Sequence, residues 1–239
     1  MDRLEQMPQD WTRALAVAAH PDDVEYAVAG AVAAWTTAGK DVRYTIVTRG
    51  EAGIDTIPPE QCGPLREAEQ RTAAALVGVS QVEFLDHRDG VIEYGLRLRR
   101  DIAAAIRRHR PELVLVGNLH DTWLGGGWNT PDHRHVGRAT LDAIGDAANR
   151  WIFPEIAEQL PPWTGVRYAA VGGSPQPTHA VDITDTMERA VASLQAHRAY
   201  LQALGGQMAS PRRFLEQMAD LVAPRFGGRR AAAFELRRM

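Results

Sequence analysis

The chain has 239 residues, 45% of them hydrophobic, and a formal net charge of -3. That is enough for one α/β domain with a sizeable core, and it excludes the strongly basic surface of a nucleic-acid binder. No apolar run approaches a membrane span, the first ten residues are too polar for a secretory signal, and the single cysteine, Cys62, fits a reducing, cytoplasmic setting.

In chain order, a run of small apolar residues from Leu15 to Ala19 stops abruptly at His20-Pro21-Asp22-Asp23. Val24, Val28, Val32 and Trp35 then recur at helical spacing until Gly39. This predicts a buried strand feeding directly into a helix, with the charged cluster at the strand's carboxyl end, where open α/β sheets collect ligands. The plainer reading is a polar turn with an aspartate as helix N-cap. Asp41 to Thr48 reads as a second strand, ending in a glycine-bearing loop through Gly53, and Ile54 to Gly63 as a proline-bearing lid or insertion. Leu65 to Leu76 reads as a helix with Leu65, Ala68, Thr72 and Leu76 on its inner face. Val82 to Leu85 reads as a third strand closing in Asp86-His87-Arg88-Asp89-Gly90. Leu96 to Arg108 is a helix with Leu98, Ile102, Ala105 and Ile106 inward and its arginines in solvent. Glu112 to Val116 is a fully apolar central parallel strand delivering Asn118, His120 and Asp121 to the same end as His20.

Gly125 to Trp128 reads as a flexible loop offering Trp128 or Trp123 as a stacking surface. His135 to Asn149 is the next helix, with Val136, Thr140, Ala143 and Ala147 inward, and Pro154 to Thr164 is a proline-rich connection to a strand at Val166 to Val171. A helix capped by Asp185 places Ala190, Leu194, His197 and Leu201 along one stripe. Ser210-Pro211 opens a last amphipathic helix with Phe214, Met218 and Leu221, packed on the sheet or used in a homo-oligomer contact. The strand–helix alternation predicts a Rossmann-like three-layer α/β fold with a mostly parallel central sheet. It forms a single domain over residues 1–239, with C-terminal helices from about residue 184 packed on it. No G-x-G-x-x-G follows the first strand and there is no Walker A sequence, which removes the dinucleotide and P-loop readings.

Two clusters carry the chemistry. The second is Thr130-Pro131-Asp132-His133-Arg134-His135, which with the first supplies imidazoles and carboxylates, the ligands that zinc takes when cysteine is lacking. His20 and Asp23, three apart on a turn, and the distant His133 make a three-ligand site with an open position. Ala19-His20-Pro21-Asp22-Asp23-Val24-Glu25 together with Pro131-Asp132-His133-Arg134-His135-Val136-Gly137 resembles the LmbE/PIG-L family of zinc-dependent N-deacetylases. The resemblance implies one Zn²⁺ per chain on His20, Asp23 and His133, with Fe²⁺ or Co²⁺ suited to the same ligands. It implies Asp22 as general base and Asp132 as an acid orienting the second cluster. The family's histidine two residues before that acid is replaced here by Thr130, so His135, His120 or His197 takes over its work, or the metal does more of it. Arg66, Asp89, His120, Trp128 and His197 are the expected substrate contacts and His135 a further catalytic group. The implied substrate is a small N-acylated molecule of the N-acetylglucosamine type. The competing readings are a metal- and ligand-binding relative with little turnover, and an amidase acting on a thiol conjugate or antibiotic precursor.

Overall fold

The computed structural model describes residues 2–239. A two-residue strand, β1 (Glu5–Gln6), precedes β2 (Arg13–Ala18), which runs into α1 (Asp23–Ala27) and α2 (Ala29–Thr37). Then come β3 (Asp41–Ile46), α3 (Pro59–Leu76), β4 (Val82–Phe84), α4 (Leu96–His109), β5 (Leu113–Val116) and α5 (Pro131–Ala148). The remainder comprises a short α6 (Pro154–Ala157), β6 (Tyr168–Gly172), β7 (His179–Asp182), α7 (Met187–Gln195), α8 (Arg198–Ala203), α9 (Pro211–Val222) and β8 (Ala231–Arg238). The strands form one sheet in the order β1-β7-β8-β6-β5-β2-β3-β4. All neighbours are parallel except β8, which runs antiparallel to both β6 and β7.

The sheet is covered on both faces, which is why β2 and β5 are continuous apolar runs. Ala14, Ala16 and Ala18 of β2 pack towards α1, α2 and α7, whereas Leu15 and Val17 pack towards α4 and α5. β2 pairs with β5, so the two charged clusters emerge from neighbouring carboxyl ends. Glu112, just before β5, accepts from Thr12 N and Thr12 Oγ1 at 2.6 Å and Arg13 N at 3.2 Å, tying the starts of the two strands together.

Several elements differ from the sequence reading. α3 starts at Pro59, so half of the expected lid is helix and Cys62 is buried in it. Its buried face is not the expected one: Arg66, Glu69 and Gln70 are inside together with Cys62, Ala73 and Ala74, while Ala68, Thr72 and Leu76 are exposed. Among the arginines of α4, Arg107 is buried and donates to the carbonyls of Ala147, Asp146, Asn149 and Ile152, closing the end of α5. α5 begins at Pro131, which places the second cluster in its first turn. Asp185 lies in a 3-10 turn, and the predicted stripe breaks between α7 and α8, leaving His197 at the break. Leu221 is half-exposed, and Leu215, Ala219 and Val222 form the inner face of α9 instead. The chain beyond α9 returns as β8 rather than ending in helices. No described helix is long and apolar enough to cross a membrane.

Phe234 of β8 is fully buried against Trp35, with ring centroids 5.6 Å apart. Phe234→Ala is expected to cost about 3–5 kcal/mol in chemical denaturation, and a loss below about 1 kcal/mol would show that β8 is not held by this contact. Hydrogen bonds from Thr12, side chain then backbone, hold the Glu112 carboxyl down to about 2. A carboxyl lowered on folding stabilises above its unfolded value near 4.3 and loses that contribution as pH falls towards about 2. Glu112→Gln therefore flattens the acid limb of the stability–pH curve between those limits, measured by thermal melts at stepped pH.

Candidate metal centre and active site

The turn from β2 into α1 places two adjacent aspartates in opposite directions. Asp22 sits at φ 88°, ψ -21°, a left-handed conformation; it holds the N-cap position and its carbonyl accepts from Tyr26 N at 2.9 Å, but its side chain makes no capping bond, unlike the aspartate cap of a plain turn. Asp23 starts the helix, and its Oδ2 accepts from the backbone N–H groups of Ala19 and His20, both at 2.9 Å. That fixes the carboxylate and leaves Oδ1 3.1 Å from His133 Nε2.

His20 Nδ1 lies 3.2 Å from His133 Nε2, and the ligating atoms of His20, Asp23 and His133 all fall within 4.8 Å of one another. The surroundings decide which ring nitrogens carry protons. Asn129, fully buried, spends its amide N–H groups on the carbonyls of Asn118 and His120, so its Oδ1 faces His133 Nδ1 at 3.0 Å as an acceptor. His133 Nδ1 therefore holds the proton and Nε2 a lone pair. Thr130 Oγ1 also lies 2.8 Å from Nδ1, so the residue standing where the family has histidine touches a proposed ligand. On the other ring, His20 Nε2 meets Asp132 Oδ2 and Asp89 Oδ1, each at 3.1 Å, so it is the donor there and Nδ1 is turned to His133. Asp132 is itself held by the N–H groups of Gly90 at 2.8 Å and Ile92 at 3.0 Å. Two imidazole nitrogens and a carboxylate oxygen thus converge, a set that can take a metal once His20 Nδ1 gives up its proton. The donor set fits a divalent metal. Burial alone would lower the His20 imidazole, but the carboxylates of Asp132, Asp23 and Asp89 raise it well above its ordinary value. Burial acts in the opposite sense on Asp23, and His133 and His20 outweigh it to hold that carboxyl well below the usual range.

Behind this centre lies a buried polar chain that the sequence reading missed. Asp22 Oδ2 accepts from Arg66 Nη2 at 2.8 Å, and the same nitrogen donates to the Pro21 carbonyl at 2.7 Å. Arg66 also donates to the Gly50 carbonyl, and its guanidinium lies 4.0 Å from the centroid of the Tyr200 ring. Burial pushes the Asp22 carboxyl up to about 7, against the pull of Arg66. Asp22 N donates to Gln70 Oε1 at 2.8 Å, and Gln70 Nε2 donates to Glu25 Oε1 at 3.0 Å. Glu25 Oε2 lies 3.6 Å from His197 Nε2, both side chains being inaccessible to solvent. Burial would lower His197, but Glu25 outweighs it and raises the imidazole, while Glu25 Oε2 and both His197 nitrogens are buried without a hydrogen-bond partner among the described residues.

Of the other expected groups, Asp89 reaches His20 and Arg66 reaches Asp22, whereas His120, His135 and Trp128 are engaged elsewhere. His120 Nε2 is 2.6 Å from Glu235 Oε2, and His135 Nδ1 is 2.6 Å from the Ile92 carbonyl. Trp128 is exposed beneath Arg134, whereas Trp123 packs edge-on to His133 with centroids 5.2 Å apart. The glycine loop is a tight turn, with Gly125 and Gly126 at φ 97° and 96° and a β-bridge between Thr122 and Trp128. Arg66 is 2% exposed, and Asp89 turns onto His20 and the Ala52 N–H.

A mostly parallel three-layer α/β sheet thus carries at its carboxyl edge a His/Asp/His cluster that could hold a metal ion. Residues 15–144 match the family described as PIG-L, GlcNAc-PI de-N-acetylase, and the chain belongs to that family. It is 28% identical over 196 residues to a diacetylchitobiose deacetylase of Thermococcus kodakarensis, covering 80% of this chain and 70% of the relative. Its fold superposes on the N,N'-diacetylchitobiose deacetylase of Pyrococcus horikoshii with a TM-score of 0.84 at 24% identity, over 96% of this chain and 85% of that one. It superposes as well on the 4-carboxy-2-hydroxymuconate hydratase GalB of Pseudomonas putida, with a TM-score of 0.72 at 20% identity, covering 95% of this chain and 96% of that one. The fold thus accommodates more than one chemistry, and the site has to carry the argument.

Replacing Gln70 with leucine leaves the Asp22 N–H and Glu25 Oε1 buried without partners. At about 1–3 kcal/mol for each such group, Gln70→Leu should lose about 2–6 kcal/mol in urea denaturation of the metal-free protein.

Proposed function

We propose that this chain is a cytoplasmic, zinc-dependent N-deacetylase acting on a small N-acylated amino sugar of the N-acetylglucosamine type. The observation that carries the reading is the convergence of His20 Nδ1, Asp23 Oδ1 and His133 Nε2 beside a carboxylate, Asp22, that is not one of them. His20, Asp23 and His133 would hold the metal, which when bound supplies Lewis acidity, lowering the pKa of an adjacent water and polarising the acyl carbonyl. Asp22 takes a proton from the attacking water and returns it to the nitrogen as the C–N bond breaks. The products are a carboxylate and a free amine. Arg66 and Gln70 keep Asp22 turned away from the ligand set, so the two aspartates do not compete for one role. Asp89 and Asp132 hold His20 by its far nitrogen, and Asn129 and Thr130 hold His133 in the same way. The amino sugar is proposed from the family and from the relatives that deacetylate diacetylchitobiose.

A second reading, a metal- and ligand-binding protein with weak turnover, is favoured by one observation. Thr130 replaces the family's histidine, and no other described imidazole faces the ligand cluster, since His120, His135 and His197 are engaged elsewhere.

The test is metal content together with amine release for wild type, His133→Ala and Asp22→Asn, on a panel of N-acetylated amino sugars. Wild type should bind about one metal per chain and His133→Ala should lose it. Asp22→Asn should keep the metal while kcat falls by about 10²–10⁴-fold. A metal-free wild type contradicts the proposal. A metal-loaded protein that releases no amine supports the second reading.

A further inference from the structure

Beside Asp23 and His133, at the carboxyl edge of β2, β5 and β6, lies a recess with a cavity volume of about 40 Å³. Its walls are hydrocarbon: Ala18, Ala27, Val28, Leu115 and Phe234, with the Trp123 ring at the His133 side. The neutral polar side chain on it, Asn118, is committed at both ends, its Nδ2 to the Thr122 carbonyl and its Oδ1 to the His120 N–H. Beyond the two proposed metal ligands, nothing in the recess can bind a hydroxyl or a charge, and water there has few partners. The polar groups of the site, Asp22, Arg66 and Asp89, do not line it.

Only one part of an N-acyl amino sugar is hydrocarbon and must also lie against the metal ligands: the carbon chain attached to the scissile carbonyl. We propose that the recess is an acyl pocket, and that this enzyme prefers a short unbranched acyl group of three to five carbons over acetyl. The proposal rests on the amide-hydrolase reading above and deepens it. On the scale where one water needs about 10–15 Å³, the volume admits a few methylene or methyl groups, so a long fatty chain does not fit. Two small residues keep the space open. Gly172 closes one end, where a Cβ would come within 2.9 Å of Val28 Cγ1 and 3.7 Å of Ala27 Cβ. Ala27 faces it from α1, at a helical position where leucine would be equally at home. The reaction stays balanced for any acyl length: water oxygen bonds to the carbonyl carbon, the C–N bond breaks, and the amine leaves with the transferred proton.

The test uses the metal-loaded full chain with N-acetyl-, N-propionyl-, N-butyryl- and N-octanoylglucosamine, reading free glucosamine. The kcat/KM should rise about fourfold for each methylene up to butyryl, as expected from about 0.8 kcal/mol per buried CH₂, and fall for octanoyl. Ala27→Leu should lower the butyryl-to-acetyl ratio about tenfold or more, and Gly172→Ala should move it in the same direction should the leucine variant fold poorly. In a binding measurement needing no turnover, calorimetric titration with acetate, propionate and butyrate should tighten by a similar factor at each step. Acetyl cleaved best, with a steady decline to butyryl, overturns the pocket and leaves the deacetylase reading intact. An unchanged ratio in both variants also overturns it. No amine from any member overturns the deacetylase reading and the pocket together.

Discussion

The whole site depends on one backbone constraint, the left-handed residue between β2 and α1. A neighbouring pair of aspartates in ordinary helical geometry would compete for the same cation. With Asp22 at positive φ, one carboxylate turns back onto Arg66 beneath the strand end while the next locks onto the N–H groups of Ala19 and His20. Positive φ is costly for a residue with a Cβ and persists only where the surroundings over-determine it. Here Gln70 grips the Asp22 amide and Arg66 grips both its carboxylate and the preceding carbonyl.

That requirement explains the mixed burial of α3. A helix packed only for stability buries its apolar stripe, and α3 buries Arg66, Glu69 and Gln70 alongside Cys62, Ala73 and Ala74. Each of the polar three has work inside: Arg66 and Gln70 on Asp22, and Glu69 on the Ala199 N–H that begins α8. The gain is a rigid support for Asp22, although Glu25 Oε2, Glu69 Oε2, Arg66 Nε and both His197 nitrogens are buried without a hydrogen-bond partner among the described residues. The rings of the proposed ligands are held as well, their far nitrogens fixed by acceptors that are themselves fixed.

How much of this is legible in the sequence depends on which physical signal each part emits. β2 and β5 stand out because strands covered on both faces are uninterrupted apolar runs, and the charged clusters stand out because they end such runs. The inner face of α4 follows from helical periodicity and is found where expected. The inner face of α3 misleads for the reason just given, since apolar periodicity cannot mark buried positions that are polar, such as Arg66, Glu69 and Gln70. The alanines of β8 have weak strand propensity, and their burial is decided by tertiary pairing with β6 and β7 rather than by any local pattern. The backbone break that leaves His197 facing Glu25 is equally silent, because Ala190, Leu194 and Leu201 continue a helical rhythm across it.

The placement of β8 has a consequence for the order in which the molecule is completed. β7 has no sheet partner on its inner side except β8, so β7 and β1 cannot join the sheet until residues 231–238 have emerged. The strands that aim His20, Asp23 and His133, by contrast, pair among themselves from sequence well upstream. The strands that carry the His/Asp/His cluster are thus paired by contacts among residues 13–116, while the Phe234 wall of the neighbouring recess is contributed by the last strand of the chain.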